Sequence, residues 1–249
     1  MKINNENFNI KIEELFNDLE ISKKQPLVIH SSIYELYLLD QPQEKLWQFI
    51  NKFIEANVGL SFPTYCLYES DSYDRKKSRS SVGSFSEYLL RNQNGLRTIC
   101  PIHNHLFFYE EKLTPYKLNF CQSFGKSTDF DYFYKNNYRL LLLANDFNMG
   151  CSYLHHLEYL ANVPYRKMIK LEKKIIDING DEFKIKFNYF ARKDKNAKTN
   201  FNKVENHIKN CASFRKSRLS IFDSYAINIK DLHDIILPIL KENPYFFLQ

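Results

Sequence analysis

A mixed α/β fold is predicted by three features of the 249-residue sequence. Residues 26–62 read strand, helix, strand. Residues 138–144 form an apolar run that suits a buried strand. Residues 168–190 are two alternating stretches on either side of Asn179-Gly180. Two strands separated by a helix within one short segment form a parallel βαβ unit. The expected architecture is therefore a largely parallel central sheet flanked by helices. A β-hairpin elaborates its C-terminal part, and one α/β domain spans residues 1–249.

Taken along the chain, Ile12, Leu15, Phe16 and Leu19 recur at helical spacing and predict a helix over about residues 10–20. Residues 26–30 (PLVIH) read as a buried strand, ending in the hydroxyl pair Ser31-Ser32, which is placed to lead into a helix. Leu46, Trp47, Ile50 and Ile54 mark the next helix, and residues 58–62 (VGLSF) the next strand. Residues 69–82 are polar and charged throughout and are expected to be an exposed excursion, mobile or substrate-facing. A helix is expected from Ser84 through Leu90. Ser152 reads as the N-cap of another over 153–162, stopped near Pro164. Asn-Gly between alternating residues is a hairpin signal, because both residue types tolerate positive φ. Residues 193–200 form a charged loop, and helices over about 202–211 and 229–242 close the chain.

Composition narrows the function. The net charge is +6, no run is long and apolar enough for a membrane helix, and the first residues are too acidic for a signal peptide. The five cysteines are an odd number without a C-x-x-C pair, so reduced thiols and a cytoplasmic location are expected. Nucleotide-loop and nucleophile-elbow motifs are missing from the sequence. Lysine is scattered rather than striped, so a nucleic-acid partner is not expected, nor is a membrane. Oligomeric state stays open.

Four of the seven histidines fall in two groups, His103 with His105 and His155 with His156. On a helix His155 and Glu158 are i and i+3 and share a face. A carboxylate beside an imidazole fixes its tautomer and supports the imidazolium, the minimum equipment of a general base. His156 faces elsewhere, so its replacement is expected to be tolerated. A histidine-rich metal-dependent hydrolase is the competing reading, although no H-E-x-x-H spacing occurs. Cys100 has no flanking acid or base that would make it a nucleophile.

Four segments in order resemble the aminoglycoside 3-N-acetyltransferase family, also called the antibiotic N-acetyltransferase family, a type distinct from GNAT. They are Leu27-Val28-Ile29-His30-Ser31-Ser32; Phe62-Pro63-Thr64; Arg97 through Asn104, with Pro101 and His103; and Ser152 through Glu158, followed by Val163-Pro164-Tyr165. The resemblance covers about residues 10–245. It implies acetyl transfer from acetyl-CoA to an amine on a sugar-like acceptor, directly and without a metal. It further implies His155 as general base oriented by Glu158. It carries His30, Ser31, Ser32 and Arg97 to the coenzyme site, and His103, Asn104, Ser152 and Thr64 to the acceptor site. Departures from the family pattern at Thr98, Cys100 and Asn104 leave the acceptor open. The positive net charge favours an anionic acceptor, so a nucleotide-linked amino sugar of surface-glycan biosynthesis is expected over aminoglycoside resistance.

Overall fold

The computed structural model describes residues 5–33, 42–55, 57–66, 70–109, 119–194, 196–219 and 221–249. A seven-stranded sheet runs in the order β4 (Leu96–Arg97), β5 (His105–Phe108), β2 (Leu60–Pro63), β1 (Leu27–Ser31), β6 (Arg139–Leu143), β10 (Phe222–Asn228) and β9 (Arg215–Leu219). β2, β1 and β6 are parallel neighbours. β5 and β10 are antiparallel to them, and β4 and β9 antiparallel in turn to those two, so five of the seven strands point one way. A second sheet pairs β3 (Ser72–Asp74) parallel to β7 (Arg166–Ile176), which forms a hairpin with β8 (Glu182–Arg192).

Helices cover both faces of the larger sheet, which explains the apolar run Leu140–Leu143 that follows Arg139 in β6. Leu27, Ile29, Leu141 and Leu143 point into a core closed by α1 (Asn5–Asp18), α2 (Pro42–Phe53) and α3 (Ser84–Asn92). Val28, Leu140 and Leu142 point the other way. There they meet α4 (Asp129–Lys135), α6 (Tyr153–Leu160) and α8 (Ile229–Glu242). α5 (Phe147–Gly150) follows β6, and a 3₁₀ turn, Phe201–Lys203, leads into α7 (Val204–Ile208). β1 pairs with β2 on one side and β6 on the other, so connections diverge at its C-terminal end, the usual place for a ligand crevice in such sheets.

Several expectations need correction. The polar 69–82 segment is partly interior. Tyr73 is buried and donates to the Thr98 carbonyl at 2.7 Å, and buried Arg75 donates through Nε to the Arg97 carbonyl at 2.9 Å. Lys76, Lys77 and Arg79 do stay exposed, and Glu69 lies outside the described residues. The hairpin turn is not a two-residue Asn-Gly loop. Asp177 bonds through its N–H to the Asp181 carbonyl at 3.0 Å, and its carboxylate accepts the Asn179 and Asp181 N–H groups. That side-chain clamp leaves only Gly180 with positive φ, at 92°. The helix expected directly after Ser32 falls on residues 34–41, outside the described residues. Ser152 precedes α6, but its own backbone is already helical and its hydroxyl does not cap the helix.

Candidate active site

α6 presents Ser152 and His155 half-exposed, while Tyr153, Leu154, His156, Leu157 and Glu158 are buried. His155 Nδ1 lies 2.7 Å from Glu158 Oε2, as the i,i+3 spacing predicts. Glu158 is fully buried, and its other oxygen accepts the Tyr165 hydroxyl at 2.7 Å. Arg166, the first residue of β7, brings Nε to 2.9 Å from Glu158 Oε2 and Nη2 to 2.9 Å from His155 Nδ1. Its Nη1 donates to the Phe190 carbonyl at 3.2 Å, which anchors it to the hairpin.

Burial pushes the Glu158 carboxyl up, but His155, Arg166 and Tyr165 together hold it below the usual range. It is therefore an anion at neutral pH. Nδ1 of His155 can carry one proton, and the adjacent carboxylate draws it there, leaving the lone pair on Nε2. Arg166 Nη2, itself only a donor, cannot hydrogen-bond a protonated Nδ1, so in this tautomer its 2.9 Å contact acts on the imidazole through charge. Burial first, and Arg166 second, hold His155 below the usual histidine range against the opposing pull of Glu158. The ring is thus neutral at pH 7 and able to accept a proton.

His156, one residue on, has a different fate. Its Nδ1 accepts the Gly125 N–H at 3.2 Å, its ring stacks 5.9 Å from that of Phe130, and burial pushes its pKa to about 3. It does face elsewhere, but a buried acceptor serving a backbone donor is not freely replaced. Losing it leaves an unpaired N–H, at a cost of about 1–3 kcal/mol.

Among the other predicted site residues, His103 shares an aromatic neighbour with His155. Its ring and that of His155 both pack on Phe124, at 4.8 and 6.2 Å between ring centres. Its Nδ1 pairs with Ser123 Oγ at 2.6 Å, and burial holds it neutral, well below the usual range. Ser31 and Ser32 line an open cleft of about 670 Å³ at the C-terminal ends of β1 and β6. Gly83, Ser84, Asp146 and Asn202 line it as well. Asn202 follows Phe201, whose ring sits 5.0 Å from that of His155, so one wall of the cleft backs onto the His155 ring. His30 is buried on the opposite side of β1 from Ile29, 6.5 Å ring to ring from Tyr65, with its pKa pushed by burial to about 3.

Arg97, Thr64 and Asn104 instead bind one another. Arg97 Nε donates to Asn104 Oδ1 at 2.8 Å, Nη2 to the Thr64 carbonyl at 2.6 Å and Nη1 to the Ser78 carbonyl at 2.5 Å. Thr64 Oγ1 donates to Asn104 Oδ1 at 2.7 Å. All three are buried, and together they tie β2, β4 and the 69–82 segment into one scaffold. Sequence reasoning missed Arg166 altogether and gave Tyr165 no role. Among the described residues, no group of three or more His, Cys, Asp or Glu could hold a metal ion, and no helix is long and apolar enough to cross a membrane.

Comparison with known proteins bears on this geometry. The sequence profile described as aminoglycoside 3-N-acetyltransferase matches residues 29–241, most of the chain. The chain belongs to the aminoglycoside 3-N-acetyltransferase family. Enzymes of this family are N-acyltransferases, the class the motifs led one to expect. Solved structures agree on the fold. YokD from Bacillus subtilis superposes with a TM-score of 0.79 at 14% identity, covering 95% of this chain and 94% of its own. AAC-IIIb, solved as a binary complex with CoASH, gives 0.79 at 12% identity and 96% coverage of both chains. A histidine-to-alanine mutant of aminoglycoside acetyltransferase AAC(3)-IVa in complex with a gentamicin gives 0.76 at 17% identity, covering 96% of this chain and 90% of its own. No curated protein sequence matches the chain.

Proposed function

We propose that this family member transfers the acetyl group of acetyl-CoA to an amine of an aminoglycoside-type acceptor, with His155 as general base. The observation that carries the reading is His155 Nδ1 at 2.7 Å from the Glu158 carboxylate, with burial holding the ring below the usual histidine range; a proton on Nδ1 makes Nε2 the acceptor. As the amine nitrogen attacks the thioester carbonyl, Nε2 takes its proton. When the C–S bond breaks, the imidazolium returns that proton to the departing thiolate. A positioned base of this kind contributes roughly 10²–10⁴-fold. Glu158 holds the ring and balances the transient imidazolium; Tyr165 and Arg166 hold Glu158.

The cleft supplies the substrate assignment. Ser31 and Ser32 face the N-terminus of α3 at Gly83-Ser84, where hydroxyls and the backbone N–H groups of a first helical turn suit a phosphate or a pantetheine amide. They are assigned to the coenzyme, and replacing both with alanine is expected to raise the KM for acetyl-CoA more than that for the acceptor. The expectation of an anionic, nucleotide-linked acceptor rested on net charge, and the local charges point the other way. The described lining includes Asp146, Glu205 and Asp223 and no lysine or arginine. Lys216 bridges Glu205 and Asp223 at 2.9 and 3.0 Å and Arg218 Nε lies 2.8 Å from Asp223, but among the described residues Asp146 pairs only with neutral donors, Met149 N–H and Asn202 Nδ2. Asp146, left without a cationic partner among the described residues, suits an ammonium group. His103 and Ser152 flank the base and are assigned to the acceptor, whereas Arg97, Thr64 and Asn104 support the walls.

Thiol release from acetyl-CoA, measured over a panel of aminoglycosides and nucleotide-linked amino sugars, tests this reading. Aminoglycosides are expected to reach a kcat/KM of about 10⁴ M⁻¹s⁻¹ or more, the range of real substrates. Transfer confined to nucleotide-linked amino sugars would overturn it.

A further inference from the structure

A cavity of about 450 Å³ opens between α1 and α2, on the face of the larger sheet opposite α6 and His155. The proposed acetyl transfer makes no use of it. Its chemistry follows from the sequence of α2. Lys45, Phe49, Lys52 and Phe53 stand at i, i+4, i+7 and i+8, so they share one side of the helix. That side borders the cavity, facing Phe8 and Glu13 of α1, while Leu46, Trp47 and Ile50 enter the core.

The floor is aromatic. Phe49 and Phe53 stack with 5.7 Å between ring centres and 24° between planes. Each also meets the buried Phe16 edge-on at 5.1 Å. The two rings are thereby held in place, half-buried, with surface left over on the cavity wall. The rim is basic. Lys45 and Lys52 rise from α2, and Lys23 from the turn after α1, with Nζ 5.2 Å from the Phe53 ring centre. Glu13 is the one carboxylate in the lining, and among the described residues none of these three lysines forms an ion pair with it or with any other acid. Solvation alone accounts for lysines on a helix surface. It does not account for phenylalanine rings kept on a cavity wall beneath them, since exposed apolar surface gathered in a hollow marks a place where something binds.

We propose that this cavity binds a nucleoside triphosphate, its base on the Phe49–Phe53 floor and its phosphates among Lys23, Lys45 and Lys52. Both halves of the lining call for such a ligand. A base offers a flat π-face to an aromatic ring, and a lysine ammonium is a compact point charge that suits a phosphate. A simple inorganic anion would leave the rings unused, and an uncharged aromatic would leave three ammonium groups repelling one another. The volume lies within the range of small-molecule sites. The larger sheet separates the cavity from the cleft at Ser31 and Ser32, so the nucleotide and acetyl-CoA bind independently in space.

Calorimetric titration of ATP into the full-length enzyme, with coenzyme A already in excess, is the test. ATP is expected to bind with a Kd below about 1 mM. Tripolyphosphate, which lacks the base, should bind about 5–150-fold more weakly, the contribution of one stacked base. Lys45→Glu combined with Lys52→Glu should weaken ATP by roughly tenfold or more, because two charge-assisted contacts become repulsive. Both lysines lie outside the core and outside the acetyl-transfer machinery, so thiol-release kinetics of that variant without ATP should match those of the wild type. Three results would overturn the proposal. No heat of binding up to about 1 mM ATP would mean that the cavity holds no nucleotide. Equal affinity in the double variant would place the nucleotide elsewhere on the molecule. Tripolyphosphate binding as tightly as ATP would reduce the site to its lysines and leave the aromatic floor without a ligand.

Discussion

His155–Glu158 and His105–Asp129 are both imidazole–carboxylate pairs, with Nδ1 to oxygen distances of 2.7 and 2.8 Å. They differ in access. The His155 side chain is 24% exposed, whereas that of His105 is fully enclosed. They differ also in neighbours. Glu158 is shared with Arg166 and Tyr165, and that cation beside the imidazole helps to keep the ring unprotonated. Asp129 is shared with a threonine hydroxyl, and the far nitrogen of His105 meets a phenol rather than solvent. The same two side chains thus leave one ring edge open in the first pair and an enclosed, fully hydrogen-bonded ring in the second.

Substitutions should separate the two pairs. The largest effect expected is on turnover. His155→Ala should lower kcat roughly 10²–10⁴-fold in a folded protein that still binds acetyl-CoA, measured by thiol release and by coenzyme titration. The reverse pattern is expected for the buried pair. Asp129→Asn removes one partner of an enclosed pair and should cost about 3–5 kcal/mol in urea denaturation, while His155→Ala costs far less.

Smaller effects concern pH. His30 and His156 are held at about pKa 3, and His103 well below its usual range, all chiefly by burial. Below pH 6.5 the unfolded chain binds protons at these sites that the folded protein refuses. Stability is therefore complete above that pH and lost progressively as pH falls toward 3, by up to about 1.4 kcal/mol per pH unit for each histidine. Urea midpoints measured from pH 7 down to pH 5 should fall accordingly; a flat profile would contradict the neutral burial. The smallest change expected is from Arg166→Met. Removing that charge should raise the pKa of His155, so the acid limb of the kcat/KM profile should move to higher pH.

Legibility in the sequence followed sequence distance. His155 and Glu158 are three residues apart on one helix, and spacing alone placed them together. β1, β2 and β6 were legible because burial on both faces leaves apolar runs, and α2 because its buried Leu46, Trp47 and Ile50 recur at helical spacing. The His105–Asp129 pair spans 24 positions and depends on α4 packing under β5, which no local pattern encodes. Arg166 read as one more basic residue at the start of a lysine-rich hairpin. β9 and β10 escaped notice because one is short and charged and the other begins at an exposed Phe222. Ser152 stands where a cap belongs, but its own backbone is already helical and its hydroxyl makes no cap bond. The acceptor was illegible for a similar reason: a net charge of +6 is spread over the whole surface and says nothing of which carboxylates line the cleft.

That His155 waits as a neutral base with its proton on Nδ1 can be read directly from a pH titration of the ¹⁵N-histidine-labelled enzyme by NMR. The midpoint for His155, assigned by its loss in His155→Gln, should fall below 6.5, and the neutral form should show the proton on Nδ1. A midpoint at or above 6.5, or a neutral ring protonated on Nε2, would contradict the geometry from which the acetyl transfer was derived.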